Sequence, residues 1–200
     1  MHFRRSPAAL QSALICLLPA ICVVLGLTSC AELDANDPAR NEQYASLVNR
    51  LSWTEPLSGK RDGLRSSWPV KTLAGQRETF PLAQIKQCDK DGAACAWGVM
   101  LAHRRVDQVV FLPNALSVDL LLAIDIDRRQ QVREPGFEAM MAIPADVPAL
   151  RSRQELKQRF TLPYGKVQHI DLDFGLGFDL CAQRYDSAGR ALDICEIPYI

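Results

Sequence analysis

The chain has 200 residues, and its 23 Lys and Arg side chains balance 23 Asp and Glu, so the formal net charge is zero at neutral pH. This length is sufficient for one domain with a substantial core. The balanced charge, without a basic stripe interleaved with aromatic residues, gives no reason to expect a nucleic-acid partner.

The first 29 residues have the pattern of an export signal. Arg4 and Arg5 precede an uncharged apolar run over 13–27 that ends in small residues. This run is shorter than the roughly 18 to 20 residues that a helix needs to cross a bilayer. A basic start followed by a short apolar stretch is typical of a secretory signal, so we predict a signal peptide over 1–29.

The segment Leu27-Thr28-Ser29-Cys30 resembles the lipobox of bacterial lipoprotein precursors, with a leucine three positions before the cysteine and small residues between them. The resemblance implies cleavage between Ser29 and Cys30 and acylation of Cys30, which makes the lipid bilayer the first expected partner. Several acyl chains on one residue anchor a protein stably, because each buried methylene contributes about 0.8 kcal/mol. Ala31 stands where many Gram-negative lipoproteins retained at the inner membrane have aspartate, which favours the outer membrane. The alternatives are a plain secretory signal with Cys30 left free, or an uncleaved anchor.

Cleavage would leave a short lipidated tether over 30–36 and a single periplasmic domain over 37–200. The pair Asp37-Pro38 is typical of a helix N-cap followed by proline in the first turn. A stripe of apolar residues follows at helical spacing and predicts a helix over 38–51; it consists of Tyr44, Leu47, Val48 and Leu51. The stretch 53–75 is interrupted by glycine and proline and is predicted to be a surface connection.

Four cysteines remain after signal removal, an even number that predicts two disulfides in an exported chain. Strands over 77–88 and 94–106 are predicted to form a hairpin around Asp91-Gly92 as a type I′ turn, which places Cys88 opposite Cys95. Directly opposed strand residues have Cα atoms about 4.5 to 5.5 Å apart, a separation that a disulfide can span.

The same counting applies near the end of the chain. A three-residue loop over 187–189, with Gly189 in the left-handed position, places Cys181 opposite Cys195. The competing interpretation is a four-cysteine zinc site, but neither pair has the short spacing of a zinc knuckle. A redox-active pair is disfavoured because no C-x-x-C motif is present.

Three further elements are predicted between the hairpins. Strict alternation over 117–127 predicts a strand with one apolar face, formed by Val118, Leu120, Leu122, Ile124 and Ile126. A shorter strand is predicted over 137–143, after the turn at Pro135-Gly136. The capping-box pattern Ser152-Arg153-Gln154-Glu155 predicts a short helix that carries Leu156 and Phe160.

The stretch 169–182 also alternates strictly and predicts one long strand with a buried face. Together these elements predict a mainly β fold with flanking helices, in the α+β class. We expect an antiparallel β meander, arranged as a curved sheet or a partly closed barrel and cross-linked by the two hairpin disulfides.

Two aspartate pairs raise the possibility of a cation site. Asp125 and Asp127 share one strand face, and Asp171 and Asp173 share another. If these strands were neighbours, the carboxylates could hold calcium, which prefers oxygen ligands. The alternative is that both faces meet water. His169 has the parity of Asp171 and could act with the nearby aspartates, and His103 could join from the first hairpin.

Neither G-x-S-x-G nor H-E-x-x-H is present, and no cofactor or catalytic residue is predicted. The sequence therefore predicts an outer-membrane-anchored periplasmic lipoprotein that acts as a non-enzymatic binding or accessory module for another protein of the envelope. One alternative is an immunity-type lipoprotein that neutralises a secreted effector. The other is a small hydrolase or cation-binding domain that uses His169 and the aspartates beside it.

Overall fold

Eleven β-strands make up nearly all of the regular structure in the computed structural model, which describes residues 45–198. The strands are β1 (Ala45–Thr54), β2 (Arg61–Pro69), β3 (Arg77–Thr79), β4 (Ala83–Cys88), β5 (Cys95–Leu112), β6 (Ala115–Asp127), β7 (Arg129–Glu134), β8 (Phe137–Ala142), β9 (Ser152–Pro163), β10 (Gln168–Asp171) and β11 (Gly177–Arg184). Two 3-10 turns, Val70–Thr72 and Asp173–Gly175, are the only helical elements in this range. Ser29, Cys30, the tether and the first part of the predicted helix lie outside the described residues.

The strands form two larger antiparallel sheets. The four-stranded sheet has the order β10-β11-β1-β2, and the five-stranded sheet has the order β3-β5-β6-β9. The strand β4 pairs with β5 further along the edge that β3 occupies. The strands β7 and β8 pair with each other. Since β1 lies between β2 and the late strand β11, the connectivity is not a simple meander.

The hydrophobic core lies between the two larger sheets. The predicted apolar face of β6 is confirmed, because all five of its residues are 2% exposed or less; they are Val118, Leu120, Leu122, Ile124 and Ile126. Leu47 and Leu51 of β1 belong to the same buried cluster. Phe80 contacts Phe178 of β11 edge to face, with ring centroids 6.4 Å apart. Both sheets remain open, so the partly closed barrel was wrong.

One close approach inside the five-stranded sheet requires glycine. A Cβ at Gly98 of β5 would lie 2.4 Å from Ile126 Cγ2 and 2.8 Å from the Leu150 carbonyl oxygen. The chain around Leu150 is held there because the Leu150 N–H donates to the Trp97 carbonyl at 2.7 Å. The segment before β9 therefore lies beside β5, where Ala149 forms an isolated parallel bridge with Trp97.

The predicted helix over 38–51 was wrong for its described part, which is the strand β1. Leu47 and Leu51 are four residues apart and so share a face in a helix and equally in a strand. Asn49 lies between them on that face and is buried, because its side chain is bound to Glu78 and Ser66. This polar residue removes the alternation that would have indicated a strand.

The predicted helix at Ser152 was also wrong, since 152–163 form β9. Leu156 and Phe160 are again four residues apart and both lie on one face of this strand. The predicted surface connection over 53–75 contains β2. Glycine and proline are tolerated there because β2 is at the edge of its sheet.

The single long strand predicted over 169–182 is a hairpin of β10 and β11. The chain reverses at Phe174 and Gly175, which have φ angles of 60° and 69°. Ile170 consequently pairs with Phe178 across the two strands. The apolar residues on both sides of the turn still contact the same core, so the predicted face is correct although the element is not.

Both predicted disulfides are present. Cys88 pairs with Cys95 in the β4–β5 register, with Cα atoms 4.0 Å apart. The type I′ turn was wrong, because Gly92 has a positive φ of 70° and Asp91 does not. The Asp89 carboxylate instead accepts hydrogen bonds from the N–H groups of Ala93 and Ala94, at 2.8 and 3.1 Å.

The Cys181–Cys195 bond has Cα atoms 5.9 Å apart. The predicted loop is confirmed by the bond from the Asp186 N–H to the Arg190 carbonyl and by the bridge between Tyr185 and Ala191. Strand pairing ends at this bridge, and Cys195 lies in an irregular segment. That segment covers Val48 and Cys181 with its own Ile197.

No helix among residues 45–198 has the length and apolar character needed to span a membrane.

Candidate functional site

A polar cluster lies on the outer face of the four-stranded sheet. The strand register places His169 of β10, Asp179 of β11 and Arg50 of β1 in one row. The Nδ1 atom of His169 lies 2.6 Å from Asp179 Oδ1, and its Nε2 atom lies 3.1 Å from Asp171 Oδ1. Asp179 uses its other oxygen to accept from Arg50, at 2.7 Å from Nη2 and 2.9 Å from Nε.

The electrostatics of this cluster depend on burial. The side chain of Asp179 is 5% exposed and that of Arg50 is 14% exposed, so water screens their ion pair little. The hydrogen bond to Asp179, supported by Asp171, raises the pKa of His169. The imidazole is about half exposed and therefore forms the solvent-facing end of the cluster.

Gly177 occupies the next row, where three side chains crowd over the backbone. A Cβ at this position would lie 3.0 Å from His169 Cε1 and 3.1 Å from both Arg61 Nη2 and Ser52 Oγ. Ser52 is fully buried, donates to the Gly177 carbonyl at 3.3 Å and accepts from Arg61 Nη2 at 2.9 Å. This hydroxyl is held by the sheet and is not placed as a nucleophile.

The cluster therefore connects strands. Both ring nitrogens of His169 contact carboxylates, that of buried Asp179 and that of exposed Asp171. Arg50 also donates to the Pro198 carbonyl at 2.9 Å, which ties the C-terminal segment to the same row. The chemistry that this arrangement supports is charge compensation across four segments of the chain.

An open groove of about 400 Å³ lies elsewhere, on the five-stranded sheet. It is lined by Asp107, Gln108, Asp119, Leu120, Lys157, Gln158 and Arg159. Arg159 crosses it and donates to Asp119 at 2.6 and 2.7 Å and to Gln108 Oε1 at 3.3 Å. His169 does not line this groove, so the predicted histidine and the groove are separate features.

The two aspartate pairs do not meet. Asp125 and Asp127 lie on β6 in the five-stranded sheet, whereas Asp171 lies on β10 and Asp173 in the following 3-10 turn. Asp127 instead accepts from Arg151 Nε at 3.0 Å. Within residues 45–198, no group of three or more His, Cys, Asp or Glu side chains is arranged to hold a metal ion.

His103 is also remote from His169, on the outer face of β5. Burial lowers the pKa of His103, and the positive charges of Arg77, Arg105 and Arg153 lower it further. The two histidines therefore occupy opposite electrostatic environments.

Sequence reasoning missed Asp179 and Arg50. Asp179 has the parity of Asp171, but the unrecognised turn at Phe174 hid that the two strands are neighbours. It also missed the buried pair of Glu78 and Arg104, 3.1 Å apart. The sequence feature that could have revealed this pair is Arg104 itself, a charged residue at an inward position of β5 between Ala102 and Val106.

Comparisons with protein-family models, curated proteins and solved structures find no match for this chain.

Proposed function

We propose that the protein is an outer-membrane-anchored periplasmic lipoprotein that acts as a non-enzymatic binding or accessory module for another protein of the envelope. The proposal depends chiefly on one observation, the lipobox-like segment Leu27-Thr28-Ser29-Cys30 after a basic and apolar leader. Acyl chains on Cys30 would tether the folded residues without a transmembrane helix.

The two disulfides support the exported location. All four cysteines that follow Cys30 are paired in the structure, as Cys88–Cys95 and Cys181–Cys195. Such bonds persist in the periplasm and are rare in the cytosol, where thiols are kept reduced.

The binding role is supported by the β7–β8 hairpin. Phe137 and Met140 are 58% and 59% exposed on a hairpin whose strands pair only with each other within the described residues. The two side chains are three residues apart on β8 and so point to opposite faces, which leaves one exposed apolar side chain on each side of the hairpin for a partner to contact. Arg133 and Glu138 form an exposed ion pair on the same hairpin and would supply a polar rim.

The anchoring is tested by mass spectrometry of the protein purified from its native membranes. We expect an N-terminal Cys30 that carries a diacylglyceryl group and an amide-linked acyl chain. A Cys30→Ser variant should lose the lipid and keep its leader, while the control Cys16→Ser, in the leader itself, should be processed normally. An intact leader or a free thiol at Cys30 in the wild type would contradict the proposal.

The binding role is tested by a photo-crosslinking amino acid at position 137 in intact cells, with Thr161 on the exposed side of β9 as the control position. We expect an envelope protein to be captured from 137 and not from 161. Capture of resident envelope machinery supports the accessory role, whereas one secreted effector would support the immunity alternative. Equal capture from both positions, or none from either in a correctly acylated protein, would refute a binding role of this hairpin.

A further inference from the structure

A buried polar cluster lies between the two larger sheets, away from the His169 cluster. Arg104 of β5 belongs to it and is 0% exposed, and Glu78 of β3 is 7% exposed. Arg104 Nε donates to Glu78 Oε2 at 3.1 Å, and its guanidinium carbon lies 5.6 Å from the centre of the Trp68 ring. Asn49 Nδ2 donates to the same Oε2 atom, also at 3.1 Å. Residues from both sheets thus meet at one carboxylate oxygen.

Three buried atoms in this polar cluster lack a hydrogen-bond partner among residues 45–198. They are the two terminal nitrogens of Arg104, Nη1 and Nη2, and the amide oxygen Oδ1 of Asn49. An unsatisfied buried polar group costs about 1 to 3 kcal/mol, and more when it is charged. Nearly all such groups in folded proteins are bonded to protein or to ordered water.

The chemistry of these atoms selects the kind of molecule that would bind them. The Arg104 nitrogens only donate, and Asn49 Oδ1 only accepts, so the binding molecule must do both. An anion accepts but cannot donate to Asn49. Glu78 already compensates the charge of Arg104, so an anion would also add an unbalanced buried charge. A small neutral molecule with donor and acceptor capacity fits both requirements.

We propose that Arg104 and Asn49 hold an internal water, which accepts from the Arg104 terminal nitrogens and donates to Asn49 Oδ1. Both side chains contact the same oxygen of Glu78, which brings the amide and the guanidinium together, and a buried water typically bonds to about three such polar atoms. Asn49 Nδ2 also donates to Ser66 Oγ at 3.0 Å, which in turn accepts from Trp68 Nε1 at 3.2 Å. The water completes a network that joins β1 and β2 to β3 and β5.

A high-resolution crystal structure of the full-length protein, with parallel data from bromide-soaked crystals, tests this proposal. We expect a density peak at about 2.7 to 3.2 Å from Asn49 Oδ1 and from an Arg104 terminal nitrogen, without anomalous signal from bromide. An anomalous bromide peak would show an anion site and overturn the proposal. Protein atoms bonded to all three polar atoms, including atoms from residues 1–44, would overturn it as well.

A solution measurement keeps the test independent of crystals. In labelled full-length protein, the Arg104 Nε–H should show magnetisation transfer from a long-lived water, and an Asn49→Leu variant should lose it. Asn114→Leu, in the β5–β6 turn, is the control and should leave the transfer unchanged. The melting temperature should not rise when chloride replaces fluoride at equal ionic strength, because a chloride ion bound to the folded state would raise its stability, and more so at higher chloride concentration. Absence of the transfer in the wild type, or a chloride-dependent rise, refutes the water.

Discussion

The outer faces of the two larger sheets are built in opposite ways. On the four-stranded sheet, buried Asp179 compensates Arg50 and His169, and a disulfide-linked segment covers part of the face. On the five-stranded sheet, His103 lies among three arginines, and the ion pairs are exposed. The comparison shows that the same residue type has different roles on the two faces, because the strand register sets which residues lie beside it. The first face is a structural tie, and the second is an open, mixed-charge surface.

The largest expected effect is on the tied face. Asp179→Ala removes the carboxylate from the poorly exposed Arg50 and from His169, so we expect the free energy of unfolding to fall by about 3 kcal/mol or more. Urea unfolding of the full-length variant measures it. A loss below about 1 kcal/mol would mean that the ion pair is solvated and that the proposed contrast between faces is wrong.

Removal of the two disulfides should cost different amounts of stability, because one bond holds the covered C-terminal segment and the other closes an exposed hairpin. The double variant Cys181→Ser and Cys195→Ser opens a longer loop and loosens the contact with Val48 and Ile197, so we expect a loss of about 3 kcal/mol. Cys88→Ser with Cys95→Ser is the matched control, for which the chain-entropy cost is about 2.5 kcal/mol without buried packing. Thermal unfolding without reductant measures the stability loss of both double variants. A larger loss in the variant without Cys88 and Cys95 would contradict the view that the Cys181–Cys195 bond holds a packed segment.

The exposed ion pair on the open face should contribute little. Asp119→Ala removes the partner of Arg159, whose side chain is 61% exposed, and we expect the urea midpoint to stay close to that of the wild type. The same urea assay as for Asp179→Ala gives the direct comparison. A loss equal to that of the buried pair would show that the open face is as tightly held as the tied one.

The pKa values of the two histidines should be shifted in opposite directions. The contact with Asp179 raises the pKa of His169 above its ordinary value of about 6.5, whereas burial and the nearby arginines lower the pKa of His103 below it. Titration of both imidazoles by nuclear magnetic resonance checks the order, and the reverse order would contradict both environments. His169→Gln and His103→Gln assign the signals.

Stability should follow these pKa values with opposite signs. The contribution of His169 is fully present below pH about 6.5 and is lost as the pH rises through its raised folded pKa. The folded pKa of His103 is lowered, so its contribution is fully present above pH about 6.5 and is lost as the pH falls through that lowered folded pKa. The free energy of unfolding, measured between pH about 5 and 8, should therefore change its slope against pH in opposite directions in the two glutamine variants. Slopes of the same sign would contradict the opposing shifts.

Much of the fold could be predicted from alternation and turn residues. The Cys88–Cys95 bond and the buried face of β6 followed from two-residue periodicity, because that pattern survives in the structure. The Cys181–Cys195 bond was also predicted correctly, although strand pairing ends at Tyr185 and Ala191 before it reaches Cys195. The two helices were predicted wrongly because apolar residues four apart share a face in either element. At β1 the deciding residue was Asn49, which is polar and yet buried because Glu78 and Ser66 satisfy it.

The candidate site could be predicted only in part. His169 and Asp171 were identified together and do contact each other, since they are two residues apart on one strand. Asp179 was not identified, because the alternation continues through the turn at Phe174 and disguises a hairpin as one strand. The partner of a strand residue depends on register, which a single pattern of alternation does not contain.

Gly98 has a consequence for how freely this sequence can change. The neighbouring chain at Leu150 and the side chain of Ile126 leave no room at position 98 for even one methyl group. A saturation library should therefore accept only glycine at position 98. At the exposed tip a Cβ on Gly92 would meet no other atom, so a substitution there disturbs only the positive φ that glycine favours. Intolerance at one and leniency at the other would trace where this architecture permits evolutionary drift and where it forbids it.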